Sequence, residues 1–329
     1  MIDKMKVVII HGFWFLEEAL DIMRKVAQVA VPRDASEEAL RDELRDADAV
    51  VVSFYPQVNR SLIESAPRLR HIARLGVGLD SIDVQAATER GILISNTPEL
   101  TADAVAEFTM ALLLSLAKNI PRCDKAVKGG RWEERQELIQ ANRELNGKTH
   151  GVVGMGRIGG RVAVRCKAFG MRVLYHKRNR VPDFEKSFGV EYAPFEELLR
   201  ESDSISLHLP LTKETANLID RPQFESMKRR VLLINQARGR VVNEQALVWA
   251  LKEGRIGGYG TDVYEKEPPD PKSELLGFKN VIAAPHLGGG TYESRLRTCM
   301  MIAEDVVRVM RGDLPANLVN REALQRKGF

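Results

Sequence analysis

Short β-branched and aliphatic runs alternate with stretches of helical periodicity along most of the chain. Strands are predicted at 6–10, 28–31, 49–53, 71–74 and 92–95 with helices between them, the pattern of a parallel α/β sheet. The rhythm then changes to one long helix over 102–118, which Thr101 and Asp103 can cap, which Pro121 ends, and which reads as an inter-domain helix. A second alternating series follows, with strands at 149–153, 172–176, 204–209, 231–235, 258–261 and 280–283. After Gly288-Gly289-Gly290 a last long helix runs over 293–310, stopped by Gly312 and Pro315. Two doubly wound parallel sheets are expected, the second inserted into the first: residues 1–100 with 289–329 form one domain and 101–288 the other.

Composition narrows the class of molecule. At 329 residues the chain is long enough for two cores, and 49 Lys+Arg against 45 Asp+Glu leave a net charge of only +4, with both signs interspersed. Such a chain offers no platform for nucleic acid. The three cysteines, Cys123, Cys166 and Cys299, have no ligand-like spacing, so neither disulfides nor structural zinc are expected and the reading is cytoplasmic. The charged start gives no secretion signal, and the most apolar stretch, 105–117, is too short and too polar to cross a membrane.

The segment Thr149 to Val153 leads into Gly154-Met155-Gly156-Arg157-Ile158-Gly159 and then into a helical pattern. A lone G-x-G-x-x-G is weak evidence; between a strand and a helix it is the fingerprint of a dinucleotide site. Gly154 serves the tight turn, Gly156 the close approach of backbone to pyrophosphate, and Gly159 the packing of helix on strand, with Arg157 and Ile158 opening the helix whose N-terminus faces the phosphates. About 20 residues further on, where a carboxylate would hold an unphosphorylated ribose, the chain reads Tyr175-His176-Lys177-Arg178-Asn179-Arg180. A cationic loop suits a 2′-phosphate, gripped through Arg178 with Lys177 and Asn179 beside it, so NADP(H) is expected over NAD(H). A solvated basic loop is the competing reading.

Three polar clusters follow strand ends of the second series: Asn235-Gln236-Ala237-Arg238-Gly239-Arg240, then Gly260 to Pro268, then Ala284-Pro285-His286-Leu287-Gly288. An Arg, a Glu and a His at three successive strand ends are the parts for hydride transfer to a carbonyl beside a carboxylate. Singly, Arg238 reads as an ion-pair partner, Glu267 as a solvated acid with Glu265 as rival, and His286 as a turn residue. His11, His71, His150 and His208 have no partners at metal spacing, so no metal is expected.

With these clusters in this order, and with Arg74 to Asp83 and Asn96-Thr97-Pro98, the sequence resembles the D-isomer-specific 2-hydroxyacid dehydrogenases, most of all their glyoxylate and hydroxypyruvate reductase branch. The resemblance runs over about 51–320. It implies a flavodoxin-like substrate domain and a Rossmann domain. It also implies His286 as general acid, Glu267 as the carboxylate that orients it, and Arg238 as the residue that binds the substrate carboxylate and polarises the carbonyl. Val77 and Gly78 would hold the substrate carboxylate through backbone N–H groups, and Asp262 the nicotinamide carboxamide. Thr101, Pro210, Thr215, Gln236, Ala237 and Gly288 would border the cofactor. Tyr55 either lines the substrate pocket or belongs to the core. Residues 122–140 match an arm that embraces a second subunit, implying a homodimer with Trp132 near the partner. The implied activity is reduction of a small 2-ketoacid to the D-2-hydroxyacid. The alternatives are a D-3-phosphoglycerate, D-lactate or phosphite dehydrogenase, or a dinucleotide-sensing corepressor-like scaffold.

Overall fold

In the computed structural model, residues 5–10 and 15–327 are described. His11 lies outside them. The chain divides into two units, 1–101 with 290–329 and 102–289. The dividing points fall one residue beyond those expected, so Thr101 belongs to the first unit and Gly289 to the second.

In the first unit, β1 (Lys6–Ile9), β2 (Gln28–Ala30), β3 (Ala49–Val52), β4 (His71–Arg74) and β5 (Leu93–Asn96) form a parallel sheet of order β2-β1-β3-β4-β5. That order is flavodoxin-like. The strands are apolar on both faces because both are covered. Val7, Ile9 and Val51 pack against Cys299, Ile302, Ala303 and Val306 of the helix Tyr292–Met310, while Val8, Val50 and Ile72 pack against Leu40, Leu62 and Ile63 on the other side. Side-chain caps start the helices where the sequence offers them. Ser36 accepts from the Ala39 N–H, Asn59 from Leu62, Asp83 from Ala86 and Thr291 from Ser294. The chain's last segment is tied to β5: Asn320 accepts from the Ile94 N–H at 2.8 Å and donates to the Ile92 carbonyl at 2.9 Å.

The second unit holds β6 (Thr149–Val153), β7 (Arg172–His176), β8 (Glu191–Tyr192), β9 (Ser204–Leu207), β10 (Val231–Asn235), β11 (Ile256–Thr261) and β12 (Val281–Ala283). Their order is β12-β11-β10-β9-β6-β7-β8, and every pairing is parallel. This is the Rossmann order extended by one strand. Because the strands are parallel, their C-terminal ends share one edge. β6 and β9 are neighbours from which the chain winds in opposite directions, so the loops following them border a topological switch point.

Two expectations change here. The helix Ala102–Ala117, read as inter-domain, is a core element of the second unit: Ala106, Met110, Leu113 and Ala117 pack with Val152, Val162 and Ile234. Pro121 does not end that helix. It sits in the first turn of the next one, Ile120–Lys128, where a missing N–H costs nothing, and the break is made by Asn119 in the left-handed conformation at φ 50°. The 122–140 segment, matched to an arm, runs through a short 3₁₀ turn, Trp132–Glu134, into the helix Arg135–Ala141. Among the described residues no single helix is long and apolar enough to cross a membrane, and no group of His, Cys, Asp and Glu is arranged to hold a metal ion.

Candidate active site

The glycine turn follows β6 directly. Gly154 has φ 102°, and a Cβ there would lie 2.4 Å from the His208 carbonyl oxygen of the neighbouring strand's loop. Gly159, inside the helix Arg157–Ala168, has no more room, since a Cβ would meet the Gly154 carbonyl oxygen at 2.1 Å. Gly156 differs. It caps the helix without a side-chain bond, and a Cβ on it would meet nothing within 4 Å. The turn therefore closes behind Gly154 and Gly159 and stays open in front of Gly156, at a helix N-terminus whose orphan N–H groups attract an anion. Arg157 is exposed and Ile158 is partly buried against the unit's core.

Beyond β7 the cationic loop divides in two. Arg180 is engaged: its Nη2 donates to Glu185 at 2.6 Å and its guanidinium lies over the Tyr192 ring. The carboxyl of Glu185, held by Arg180 and by the Tyr175 hydroxyl, falls to about 2. Lys177 is half-buried and Arg178 and Asn179 are exposed, and among the described residues the side chains of Lys177 and Arg178 make no hydrogen bond or ion pair. After β9, Pro210 and Thr215 come together through a 2.7 Å bond from Thr215 Oγ1 to the Pro210 carbonyl.

The three clusters end β10, β11 and β12, which are adjacent. His286 Nδ1 lies 2.7 Å from Glu267 Oε2. The other carboxylate oxygen, Oε1, accepts from the Tyr264 N–H at 3.0 Å, so the acid is gripped at both oxygens. Burial pushes the Glu267 carboxyl up, yet the His286 bond and charge, the Tyr264 N–H and the charge of Arg238 together hold it below its ordinary range. Glu265, the rival, is exposed. His286 has φ 49°, a conformation L residues adopt only when held, and its N–H is pinned to the carbonyls of Asp262 at 2.9 Å and Ala284 at 3.1 Å. Asn235 shapes the Arg238 loop, accepting from the Ala237 N–H and donating to the Arg238 carbonyl.

Asp262 is 3% exposed and accepts from the Gly288 N–H at 2.7 Å. Burial raises its carboxyl above the ordinary value, against the pull of the Gly288 N–H and the His286 charge. Gln236, 8% exposed, has its Oε1 2.7 Å from Thr109 Oγ1, while its Nε2 has no hydrogen-bond partner. An orphaned buried amide and a buried carboxylate flank Gly288, where an added Cβ would lie 2.9 Å from Gln236 Nε2 and from Asp262 Oδ2. Together with the open cradle at Gly156, this donor set fits a dinucleotide ending in a carboxamide. Tyr264 and Thr109 were not foreseen. Tyr264 lies inside a cluster the sequence singles out, whereas Thr109 lies mid-helix without any signal.

In the first unit, Arg74 Nε donates to the Gly78 carbonyl at 2.8 Å and Asn96 Nδ2 to the Val77 carbonyl at 3.0 Å. These bonds fix the loop by its carbonyls, and among the described residues the N–H groups of Val77 and Gly78 make none. Tyr55 is 53% exposed, which removes the core reading, and Thr101 is half-buried.

The sequence model of the D-isomer specific 2-hydroxyacid dehydrogenase NAD binding domain matches residues 110–288. The glyoxylate reductase of Aeropyrum pernix is 44% identical over 94% of both chains. The D-3-phosphoglycerate dehydrogenase of Archaeoglobus fulgidus is 42% identical over 95% of this chain and 59% of its own. Among solved structures, a glyoxylate reductase from Paecilomyes thermophila superposes with a TM-score of 0.86 at 31% identity, covering 97% of this chain and 99% of that one. This chain therefore belongs to the D-isomer specific 2-hydroxyacid dehydrogenase family, in which it is most like the glyoxylate reductases.

Proposed function

We propose that this oxidoreductase reduces a small 2-ketoacid, glyoxylate or hydroxypyruvate, to the D-2-hydroxyacid with NADPH. The observation that carries the reading is the Glu267–His286 pair, set beside the charge of Arg238 on the strand-end edge that also bears the open glycine turn. A bound nicotinamide dinucleotide supplies the hydride. Residues of the turn, Gly154, Gly156, Arg157, Ile158 and Gly159, hold its pyrophosphate, with Pro210 and Thr215 along its length. Asp262, Gln236, Ala237 and Gly288 hold the carboxamide end.

As hydride reaches the carbonyl carbon, the carbonyl oxygen gains an electron pair and needs a proton. With Nδ1 engaged by Glu267, the transferable proton is that on His286 Nε2. Arg238, permanently charged, grips the substrate carboxylate and draws electron density toward the carbonyl oxygen. Within the first unit, the Val77 and Gly78 loop carries N–H groups suited to a carboxylate, and Tyr55 is an exposed aromatic. The preference for NADPH rests on Lys177 and Arg178, whose side chains make no ion pair among the described residues, although the charge of Arg178 reaches Glu214. A homodimer through 122–140 is part of the reading, supported by the exposure of Val127, Trp132 and Ile139 there.

Absorbance at the nicotinamide band, followed with NADPH and NADH in parallel against glyoxylate, hydroxypyruvate, pyruvate and 3-phosphohydroxypyruvate, tests it. Turnover of the first two with NADPH is the expected result. Turnover confined to the phosphorylated substrate would replace the reading with phosphoglycerate dehydrogenase activity, and cofactor binding without turnover would replace it with a sensing scaffold.

A further inference from the structure

At the end of the second sheet opposite the glycine turn, where β6, β9 and β10 begin, lies a cavity of about 400 Å³. Its floor is apolar, formed by Leu145, Met171, Val231 and Leu232, all less than 8% exposed. Its rim carries five cations, Arg143, Lys148, Lys228, Arg229 and Arg230, against two acids, Glu144 and Asp203. Asp203 is already committed, accepting from the Thr149 N–H at 2.9 Å and from Lys228 Nζ at 3.1 Å.

The remaining cations are not neutralised. Arg143 is spent on the Arg230 carbonyl, and among the described residues the side chains of Lys148, Arg229 and Arg230 make no hydrogen bond or ion pair. Other cations of the same unit are paired: Arg172 with Glu191 and Glu201, and Lys252 with Glu274. The crowding registers on Arg143, whose ionisation is disfavoured first by burial and then by the charge of Arg230, against a smaller opposing pull from Asp203. The backbone enforces this arrangement. Arg230 is held in the left-handed region at φ 65°, with its N–H bonded to the Arg255 carbonyl, and the Arg143 N–H is bonded to the Ala117 carbonyl at 2.8 Å. Like charges held together over an apolar floor, in a space of the size small-molecule sites occupy, form a receptor for an anion with an apolar body.

We propose that this cavity binds a small organic dianion, a phosphate or paired-carboxylate head on an apolar body, at a site separate from that of the dinucleotide. β6 spans five residues, so at about 3.3 Å each the cavity and the glycine turn lie a strand length of roughly 16 Å apart. The apolar floor sets the body. A bare inorganic anion satisfies the rim and leaves Leu145, Met171 and Val231 covered by nothing.

The test is calorimetric titration of the full chain with phenyl phosphate, with and without saturating NADP⁺. One saturable site that survives NADP⁺, weakens as salt rises and exceeds inorganic phosphate in affinity is expected. In Arg229→Ser/Arg230→Ser, affinity should fall about tenfold or more. Lys148→Ser serves as a second, milder variant, and an unchanged NADP⁺ affinity and melting temperature show that each variant folds. Absence of saturable binding to the parent protein overturns the proposal, as does binding that neither variant weakens. It is also overturned if the parent protein binds no phenyl phosphate while the variants turn a dimer into a monomer, which would make this face an interface between copies. Failure of NADP⁺ to bind would count against the proposed function and leave this result to stand on its own.

Discussion

Glu267 Oε2 and His286 Nδ1 are 2.7 Å apart, and the same carboxylate is held from behind by the Tyr264 N–H. The acid thus does two things: it fixes the ring, and it keeps a negative charge beside an imidazole that must carry a proton. Glu267→Gln retains much of the shape and removes the charge. Turnover should fall by about 10² or more while dinucleotide affinity stays within about twofold. The pH dependence has a definite sign. A carboxyl held below its ordinary value of 4.5 contributes fully above that value and loses its contribution as pH falls through the lower, folded-state value. The rate advantage of the parent enzyme over Glu267→Gln should therefore persist as pH falls past about 4.5 and be lost only as pH falls through the lower, folded-state value. Equal rates at neutral pH would refute the role.

The glycines of the turn should separate by experiment. An added methyl at Gly159 meets the Gly154 carbonyl oxygen at 2.1 Å, whereas at Gly156 it meets nothing. Gly159→Ala is expected to cost about 1–3 kcal/mol of stability, because helix and strand must part. Gly156→Ala should melt within a degree or two of the parent and lose dinucleotide affinity about tenfold or more, because the methyl occupies the cradle. If both variants melted alike and bound alike, the open space at Gly156 would have no bearing on the cofactor.

Arg178 and Lys177 should set the choice of cofactor. Replacing one charge-assisted contact costs about 1.5–3 kcal/mol, so Arg178→Asp should raise the NADPH KM by about 10- to 100-fold and leave the NADH KM nearly unchanged. Arg180→Ala is the control, since that side chain is occupied by Glu185 and Tyr192 and should leave the cofactor ratio alone. An unchanged ratio in Arg178→Asp would return the loop to a solvated surface.

Alternating apolar runs and glycine punctuation made both sheets legible in the sequence, because parallel strands buried on two faces are continuous in type. The two-residue strand Glu191–Tyr192 was not legible: it is an edge strand with a charged residue and no run to notice. Asn119 gave no sign of its turn, so Pro121 took the blame for a break it merely follows. The Arg, Glu and His clusters stood out because each follows a strand directly. The partners that position them are scattered. Thr109 reaches Gln236 across 127 residues from the middle of an apolar helix, where a threonine carries no local message. The basic cavity was equally hidden, assembled from segments around 143–148, 171, 203 and 228–232 that mean little apart.

His150 offers a prediction about stability rather than catalysis. It is fully buried in β6, with Nδ1 2.8 Å from Ser204 Oγ and Nε2 2.9 Å from Ser206 Oγ, and Ser206 also meets His208 Nε2 at 2.9 Å. Burial pushes both imidazoles down to about 3, with the charge of His150 adding to the effect on His208. Both rings are therefore neutral in the folded chain at pH values where the unfolded chain, near 6.5, takes up protons. Stability is complete above about pH 6.5 and declines as pH falls toward 3, by up to about 1.4 kcal/mol per pH unit for each ring. The interval from about pH 6 to pH 5 carries much of this term, since ordinary carboxylates are still largely ionised there. His150→Gln keeps a donor and an acceptor for the two serines but does not titrate. It should lower stability at neutral pH by about 1–2 kcal/mol and roughly halve the slope of unfolding free energy over that interval, measured by urea denaturation. A slope as steep as the parent's would mean that the buried histidine is not what ties the fold of this unit to pH.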